Sequence, residues 1–226
     1  MKGKLIVIEG TDCSGKETQS KLLIKKLRSE GIRIENFSYP NYQSPTGKII
    51  GGSYLGKSDL GECLFEEGAP NVDPKVASLY YAADRRYNSH KIKFLLDNGV
   101  NVLLDRYVYS NMAHQGGKLK GAEEREDMYR FLETLEFCLL ELPKPDIALF
   151  LHIPAELSFK LRENRQEKAD EHEKDNDHLK NAEKTYLEIC DRFNIKKMNC
   201  ATENNKDIRS IEEISIDVYK YVKGNL

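Results

Sequence analysis

One segment near the amino terminus, GTDCSGKET, constrains this chain more than any other feature. An apolar run, LIVIE, precedes it, and a helical pattern beginning TQSKLLIKKL follows it. This is the strand–loop–helix context of the Walker A motif, in which backbone N–H groups and a helix N-terminus surround a phosphate. We expect Lys16 to reach the β- and γ-phosphates of ATP. The predicted phosphate-binding residues are Gly10, Thr11, Asp12, Cys13, Ser14, Gly15, Lys16, Glu17 and Thr18.

The motif departs from its usual form directly after the lysine. Glu17 stands where serine or threonine is usual, and the hydroxyl follows one residue later as Thr18. The usual hydroxyl binds Mg²⁺, and Mg²⁺ also accepts carboxylate oxygen. Glu17 is therefore a candidate metal ligand, although the helix dipole alone also favours an acidic residue in the first turn.

Short apolar runs alternate with longer helical patterns along the chain, which is typical of βα units and a parallel sheet. Strands are predicted near residues 5–8, 34–39, 100–104, 147–153 and 195–198. Helices are predicted over 16–30, 74–98, 123–141, 155–165, 175–193 and 208–222. The 226 residues suit one α/β domain spanning 1–226. The segment GTDCSGKET predicts that this domain is of the P-loop kinase class.

The composition excludes several classes of protein. The formal net charge of -2 gives no reason to expect nucleic-acid or anionic membrane binding. No apolar run approaches the ~20 residues that a membrane helix needs. The five cysteines are scattered without CxxC spacing, which favours reduced thiols over disulfides or a zinc site. We expect a cytoplasmic protein that contacts neither nucleic acid nor a membrane.

A highly charged stretch at 162–180, RENRQEKADEHEKDNDHLK, holds almost no apolar residue. It is either a solvated helix face or a mobile lid over the phosphate site, and the sequence leaves both open.

Further upstream, the apolar run NVLL ends in Asp105 and Arg106. Ligands in open α/β sheets bind beyond the carboxyl ends of the strands, so these side chains should face the phosphate loop. There Asp105 is a candidate Mg²⁺ ligand, and Arg106 a candidate contact for the transferring phosphoryl group.

Four ordered segments make the chain resemble the thymidylate kinase family, P-loop kinases that phosphorylate dTMP to dTDP with ATP and Mg²⁺. They are IEGTDCSGKETQ (Ile8–Gln19), YYAADRR (Tyr80–Arg86), LLDRYVYSNMAHQG (Leu103–Gly116) and LPKPDIALFL (Leu142–Leu151). The resemblance implies a five-stranded parallel sheet flanked by helices, and commonly a homodimer. An amphipathic pattern at 129–140 fits either a dimer face or the core.

The resemblance also implies roles for individual residues. Asp12 would accept a hydrogen bond from the 3′-hydroxyl of the acceptor sugar, and Tyr81 would stack on the thymine ring. Arg85 would fix the acceptor phosphate and contact the base, while Arg106 would bridge the transferring phosphates. The base and sugar pocket would be lined by Ser110, Asn111 and Gln115.

Two further positions depart from the family pattern. Tyr42 stands where the family usually has an arginine that contacts the acceptor phosphate, so Lys48 or Arg85 would have to compensate. Cys13 stands where some members carry a catalytic arginine, which leaves the lid to supply that charge. Among Arg162, Arg165 and Lys168 we expect Arg165 to do so. The predicted catalytic residues are thus Lys16, Arg106, Asp12 and Arg165, with Glu17 and Asp105 as metal ligands.

Three functions fit these observations. The first is transfer of the γ-phosphoryl group of ATP to dTMP. The second is a kinase for a different nucleoside or nucleotide acceptor, because Tyr42 alters the phosphate contact. The third is a catalytically weak nucleotide-binding protein, an interpretation that the complete set of acceptor-side residues disfavours.

Overall fold

A computed structural model describes residues 2–11, 13–163, 176–205 and 207–226 of the chain. Its centre is a 5-stranded sheet with strand order β2-β3-β1-β4-β5, in which each neighbouring pair is parallel. The predicted α/β fold with a five-stranded parallel sheet is therefore confirmed. The strands are β1 (Leu5–Gly10), β2 (Ile34–Ser38), β3 (Asn101–Asp105), β4 (Ile147–His152) and β5 (Lys196–Asn199).

The three central strands are apolar because helices cover both faces of the sheet. Side chains alternate along β1, so that Leu5 and Val7 join one buried cluster while Ile6 and Ile8 join another on the opposite face. A third buried cluster surrounds Tyr54, away from the sheet. The strand register pairs the end of β1 with the ends of β3 and β4, so the loops that leave these strands share one edge.

The sheet is flanked by α-helices that follow most of the predicted ranges. They are α1 (Lys16–Ser29), α2 (Pro45–Ile49), α3 (Pro74–Asp97), α4 (Val108–Gly116), α5 (Ala122–Glu133), α6 (Ala155–Glu163), α7 (Asn176–Phe193) and α8 (Ile211–Asn225). Short α2 and α4 were not predicted. Helix α8 begins later than predicted because Ser210 caps it, with its hydroxyl accepting a bond from the Glu213 N–H at 3.2 Å.

The single helix predicted over 123–141 is wrong in its second half. Helix α5 ends at Glu133, and a wider π-helical turn, Thr134–Leu139, continues the chain. Such a turn accommodates an extra residue and changes which side chains face inward. Here it brings Glu136 into the interior, where none of its surface is exposed.

Helices α6 and α7 flank the predicted lid. Residues 164–175 lie outside the described part of the chain, so most of the lid predicted at 162–180 does as well. In the parts that are described, no helix is long and apolar enough to cross a membrane.

Candidate active site

The predicted phosphate loop joins β1 to α1 at the carboxyl edge of the sheet. Gly15 precedes α1 with φ 77, a left-handed conformation that glycine adopts without strain. A Cβ on Gly10 would lie 2.4 Å from Ser14 Oγ and 3.0 Å from the Leu151 carbonyl oxygen, so only glycine fits there. Lys16 Nζ donates a hydrogen bond to the Thr11 carbonyl oxygen at 3.0 Å. Asp12 lies outside the described residues.

A cleft of about 650 Å³ opens over this loop. It brings most of the loop together with the two residues at the end of β3, as the strand order requires. Predicted site residues that line it are Cys13, Ser14, Gly15, Lys16, Glu17, Thr18, Asp105 and Arg106. The other lining residues are Ser38, Tyr39, Pro40, Tyr42, Lys57, Leu161 and Ile208.

Two residues of the cleft have a positive φ, a backbone conformation that residues other than glycine rarely adopt. Cys13 has φ 60 and Arg106 has φ 66. Each costs on the order of 1–3 kcal/mol, and such strain concentrates at functional sites. The Arg106 N–H is nevertheless satisfied by the Ile8 carbonyl oxygen at 3.1 Å, which ties β3 to β1 at the point where both strands end.

A buried carboxylate that the sequence analysis missed lies behind Arg106. Glu9 is fully buried and accepts hydrogen bonds from Tyr107 N at 2.8 Å, Ser110 Oγ at 2.5 Å and Tyr186 Oη at 3.1 Å. Burial raises the pKa of Glu9 although these hydrogen bonds and the charge of Arg106 oppose the rise. Glu9 thereby links the strand that leads into the phosphate loop to α4.

Arg106 extends from the cleft into this polar network. Its Nη1 lies 3.3 Å from Ser110 Oγ, 3.3 Å from Tyr186 Oη and 3.4 Å from His114 Nε2. His114 in turn contacts His178 on α7, with 3.1 Å between their ring nitrogens. Ser110, expected at the base and sugar pocket, therefore supports Arg106 in this structure.

Arg85, expected to fix the acceptor phosphate and contact the base, lies on α3 beside the π-helical turn. It is 2% exposed, does not line the cleft, and forms a two-pronged ion pair with Glu136 in which Nη2 and Oε1 are 2.7 Å apart. Burial is the largest influence on the pKa of Arg85 and would lower it, but the charge and hydrogen bonds of Glu136, together with smaller contributions from Tyr107 and Tyr39, raise the pKa overall. The guanidinium is thus held in place by a carboxylate that the sequence analysis did not consider.

The remaining predicted acceptor residues lie on α3 and α4, two helices that pack against each other. Tyr81 packs edge-on against Tyr54, with ring centroids 5.8 Å apart. Asn111 Nδ2 donates to Glu136 Oε1 at 3.1 Å. Asn111 Oδ1 and both amide atoms of Gln115 are buried without a hydrogen-bond partner among the described residues. A buried unpaired polar group costs about 1–3 kcal/mol, a cost that a hydrogen bond to a polar ligand would remove.

The two candidate metal ligands lie at the cleft, where Mg²⁺ would accompany a nucleotide. Asp105 and Glu17 both line the cleft, and Glu17 also pairs with Lys21 at 2.5 Å on α1. The described residues contain no cluster of three or more His, Cys, Asp or Glu side chains that could hold a metal. Mg²⁺ usually binds one or two carboxylates plus substrate phosphates and water, so this sparse set fits Mg²⁺ carried by a nucleotide. Arg165, the expected lid cation, lies outside the described residues.

Comparison with known proteins agrees with this geometry. The family model for thymidylate kinase matches residues 8–211. The probable thymidylate kinase of Methanocaldococcus jannaschii is 32% identical over 97% of this chain and 95% of its own. The thymidylate kinase of Prochlorococcus marinus is 33% identical over 99% of this chain and 100% of its own. The solved structure of thymidylate kinase from Candida albicans superimposes with a TM-score of 0.76 at 25% identity, covering 99% of this chain and 92% of that one.

Proposed function

The chain belongs to the thymidylate kinase family, and from this premise we propose how its residues transfer the γ-phosphoryl group of ATP to dTMP, giving dTDP. The observation that carries the proposal is the single cleft that joins the phosphate loop to Asp105 and Arg106. A kinase must bring two anionic substrates together, and a cleft with cations from separate strands supplies what this requires. Neither the kinase with another acceptor nor the inactive binding protein is favoured.

On the donor side, the backbone N–H groups of the loop and the N-terminus of α1 bind the ATP phosphates. Lys16 exchanges the Thr11 carbonyl oxygen, its partner at 3.0 Å, for phosphate oxygens. That exchange replaces a neutral acceptor with a charged one, and charge-assisted hydrogen bonds are the stronger kind. Mg²⁺, held by Asp105 and Glu17, would neutralise phosphate charge during the transfer.

On the acceptor side, a phosphate oxygen of dTMP attacks the γ-phosphorus in line while ADP leaves. Arg106 sits where the cleft meets the Glu9 network, so its guanidinium is positioned before substrate binds. Because the charge develops on phosphoryl oxygens in the transition state, a cation fixed there lowers the barrier. Asp12 as the sugar contact and Arg165 as the lid cation stay predictions.

We propose that Tyr81, Asn111 and Gln115, on the packed helices α3 and α4, receive the thymine ring. Gln115 and Asn111 offer unpaired amide atoms, and a pyrimidine carries both donors and acceptors along its edge. Tyr81 offers an aromatic face beside them. Arg85, paired with Glu136, is proposed to contact the base edge or acceptor phosphate after a side-chain shift that keeps one of its two hydrogen bonds.

An ADP-release assay with ATP and Mg²⁺ tests the proposal directly. The acceptors are dTMP, dUMP, dCMP, dAMP, dGMP and thymidine at equal concentrations. We expect the highest kcat/KM for dTMP. Preference for another acceptor would replace the proposed substrate, and ATP binding without any turnover would contradict the enzyme assignment.

The quaternary and spatial organisation is proposed on the same family premise. We infer a homodimer, one domain over 1–226, a lid near 162–180, and a cytoplasmic protein. The exposed apolar side chains along α3 support the dimer, because large exposed apolar patches on a folded surface mark contact sites.

A further inference from the structure

We propose that Lys57 binds the phosphate of the acceptor nucleotide and supplies the positive charge that Tyr42 does not carry. This inference rests on the proposed dTMP kinase function and names a specificity residue for it. A tyrosine hydroxyl can donate one hydrogen bond but has no charge with which to balance a phosphate dianion. The cleft therefore needs a cation near Tyr42.

Lys57 is in the right place to provide it. Lys57 and Tyr42 line the same cleft as Lys16 and Arg106. The ammonium of Lys57 lies over the Tyr42 ring, 5.4 Å from its centroid. Each of the three cations enters the cleft from a different segment, namely the phosphate loop, the end of β3 and the loop that follows the π-helical turn Ile50–Tyr54. Two anionic substrates need this kind of distributed positive charge.

The backbone that carries Lys57 is fixed by hydrogen bonds rather than left loose. Lys57 N donates to the Gly51 carbonyl oxygen at 2.8 Å. The Lys57 carbonyl oxygen accepts bonds from Leu60 N at 2.8 Å and Gly61 N at 3.0 Å. Because the backbone is held on both sides, only side-chain freedom is lost when the ammonium binds phosphate, which keeps the entropic cost of binding low.

Tyr42 is held by the same segment. A Cβ on Gly51 would lie 3.0 Å from Tyr42 Cδ1, so the absence of a side chain at Gly51 lets the ring pack directly on the backbone. The ring then serves as a platform beneath the Lys57 ammonium. A cation–π contact at a partly exposed site is worth about 0.5–1 kcal/mol, less than a charge-assisted bond to phosphate. A substrate phosphate is therefore a stronger partner for the ammonium than the Tyr42 ring is.

The other two candidates for this charge are less well placed. Lys48 lies on α2, is exposed, and does not line the cleft. Arg85 is buried in its ion pair with Glu136, and leaving that pair altogether would strand a buried carboxylate without its counterion. Arg85 can therefore reach an acceptor only by a shift that keeps one bond to Glu136, which makes it a poorer source of the missing charge. Of these three cations, only Lys57 combines a position in the cleft with contact to Tyr42.

The test compares steady-state kinetics of the full-length protein and four variants. For Lys57→Met we expect KM for dTMP to rise at least about tenfold, as the loss of one hydrogen bond to a charged group implies. KM for ATP and kcat should change little. Thymidine lacks the phosphate, so its inhibition constant should be the same for Lys57→Met as for the unsubstituted protein. Lys57→Arg should retain a low KM, and the control Lys48→Met should match the unsubstituted protein.

The fourth variant provides a gain of function. Adding Tyr42→Arg to Lys57→Met should lower KM for dTMP again, because an arginine at 42 restores a cation at that end of the cleft. Unchanged KM for dTMP in a folded Lys57→Met variant would overturn the inference, as would an equal loss of thymidine binding. If the unsubstituted protein does not phosphorylate dTMP at all, the proposed function fails instead, and the two failures are told apart in one experiment.

Discussion

At the scale of single residues, Glu9 shows how the candidate site is held together. Its carboxylate accepts hydrogen bonds from Tyr107, Ser110 and Tyr186 and interacts with the charge of Arg106. Without these partners, burying a carboxylate would cost several kcal/mol. The donors and the guanidinium offset part of that cost, and their contacts with the carboxylate fix their own orientation. Glu9 is a positioning residue, since it does not line the cleft.

Replacing Glu9 by glutamine should change stability in a pH-dependent way. Burial raises the pKa of Glu9 from its ordinary 4.5, so the folded state holds the proton more tightly than the unfolded chain. The stability from Glu9 is then present at low pH and lost as pH rises through the folded pKa. Urea unfolding measures this at about pH 5 and about pH 8. Between the two, the free energy of unfolding of the unsubstituted protein (the parent) should fall relative to that of Glu9→Gln. A difference that grows in favour of the parent would contradict this.

Glu17 gives a second prediction at the residue scale. If its carboxylate helps to bind Mg²⁺, Glu17→Ala raises the Mg²⁺ concentration that gives half-maximal activity. The matched control is Lys21→Ala, which breaks the ion pair at 2.5 Å but keeps the carboxylate. Titration of activity with Mg²⁺ at saturating ATP and dTMP measures both. An unchanged Mg²⁺ requirement in Glu17→Ala would leave Asp105 as the only candidate ligand among the described cleft residues.

At the scale of elements, helix α3 and the π-helical turn after α5 depend on each other. Arg85 on α3 and Glu136 in the turn are 2% and 0% exposed, and Arg85 Nη1 also lies 3.4 Å from the Tyr107 carbonyl oxygen. The sequence could not predict this pair, because residues 123–141 read as one uninterrupted helix. Glu136 in the widened turn pairs with Arg85, which is 51 residues away in the sequence, and local patterns do not contain such tertiary information.

Breaking this ion pair on one side should destabilise the protein strongly. Glu136→Gln leaves a buried guanidinium without its counterion and should lower the free energy of unfolding by about 3–5 kcal/mol. The double variant Arg85→Met/Glu136→Leu removes both charges and should recover most of that loss. Urea unfolding measures the three proteins. A double variant as unstable as the single one would show that the pair contributes through its geometry rather than its charge balance.

The same double variant separates structure from function. If Arg85 contacts the acceptor, the folded double variant has a raised KM for dTMP, whereas a purely structural pair leaves KM unchanged.

Helix α2 illustrates a related limit of sequence-based prediction. Its Gly47 reads as a helix breaker, yet a Cβ there would lie 1.9 Å from the Asn41 carbonyl oxygen, so close packing requires the glycine.

At the scale of the whole molecule, the sequence predicts the alternating strands and helices and the residues that adjoin a recognised motif. The five strands and most helices are predicted by alternating apolar runs, and the phosphate loop and the end of β3 meet because parallel strands end at one edge. Features that depend on distant partners were missed, namely buried Glu9, the contact between Lys57 and Tyr42, and helix α4. Helix α4 is only 9 residues long and nearly all of it is buried, so it offers too short a stretch for a helical period to stand out in the sequence.

The exposed face of α3 leads to the last prediction, which concerns assembly. Val76, Leu79, Tyr87 and Phe94 are spaced at helical intervals and are 43%, 52%, 54% and 67% exposed. Leu139, at the end of the neighbouring turn, is 70% exposed. Arg86 Nη1 bonds the Leu140 carbonyl oxygen at 3.0 Å and so keeps this turn beside α3. Together these side chains form an apolar surface that a second copy of the chain would cover.

A charge in this surface should separate the proposed dimer into monomers. Leu79→Glu places a carboxylate where it would be buried against the partner, a cost that a homodimer pays twice because the interface is symmetric. Sedimentation velocity should give a dimer for the parent and a monomer for Leu79→Glu. The control Ile216→Glu, on α8 with 51% of the isoleucine exposed, should remain dimeric. A parent protein that sediments as a monomer would contradict the proposed assembly, and a dimeric Leu79→Glu would place its interface on another face.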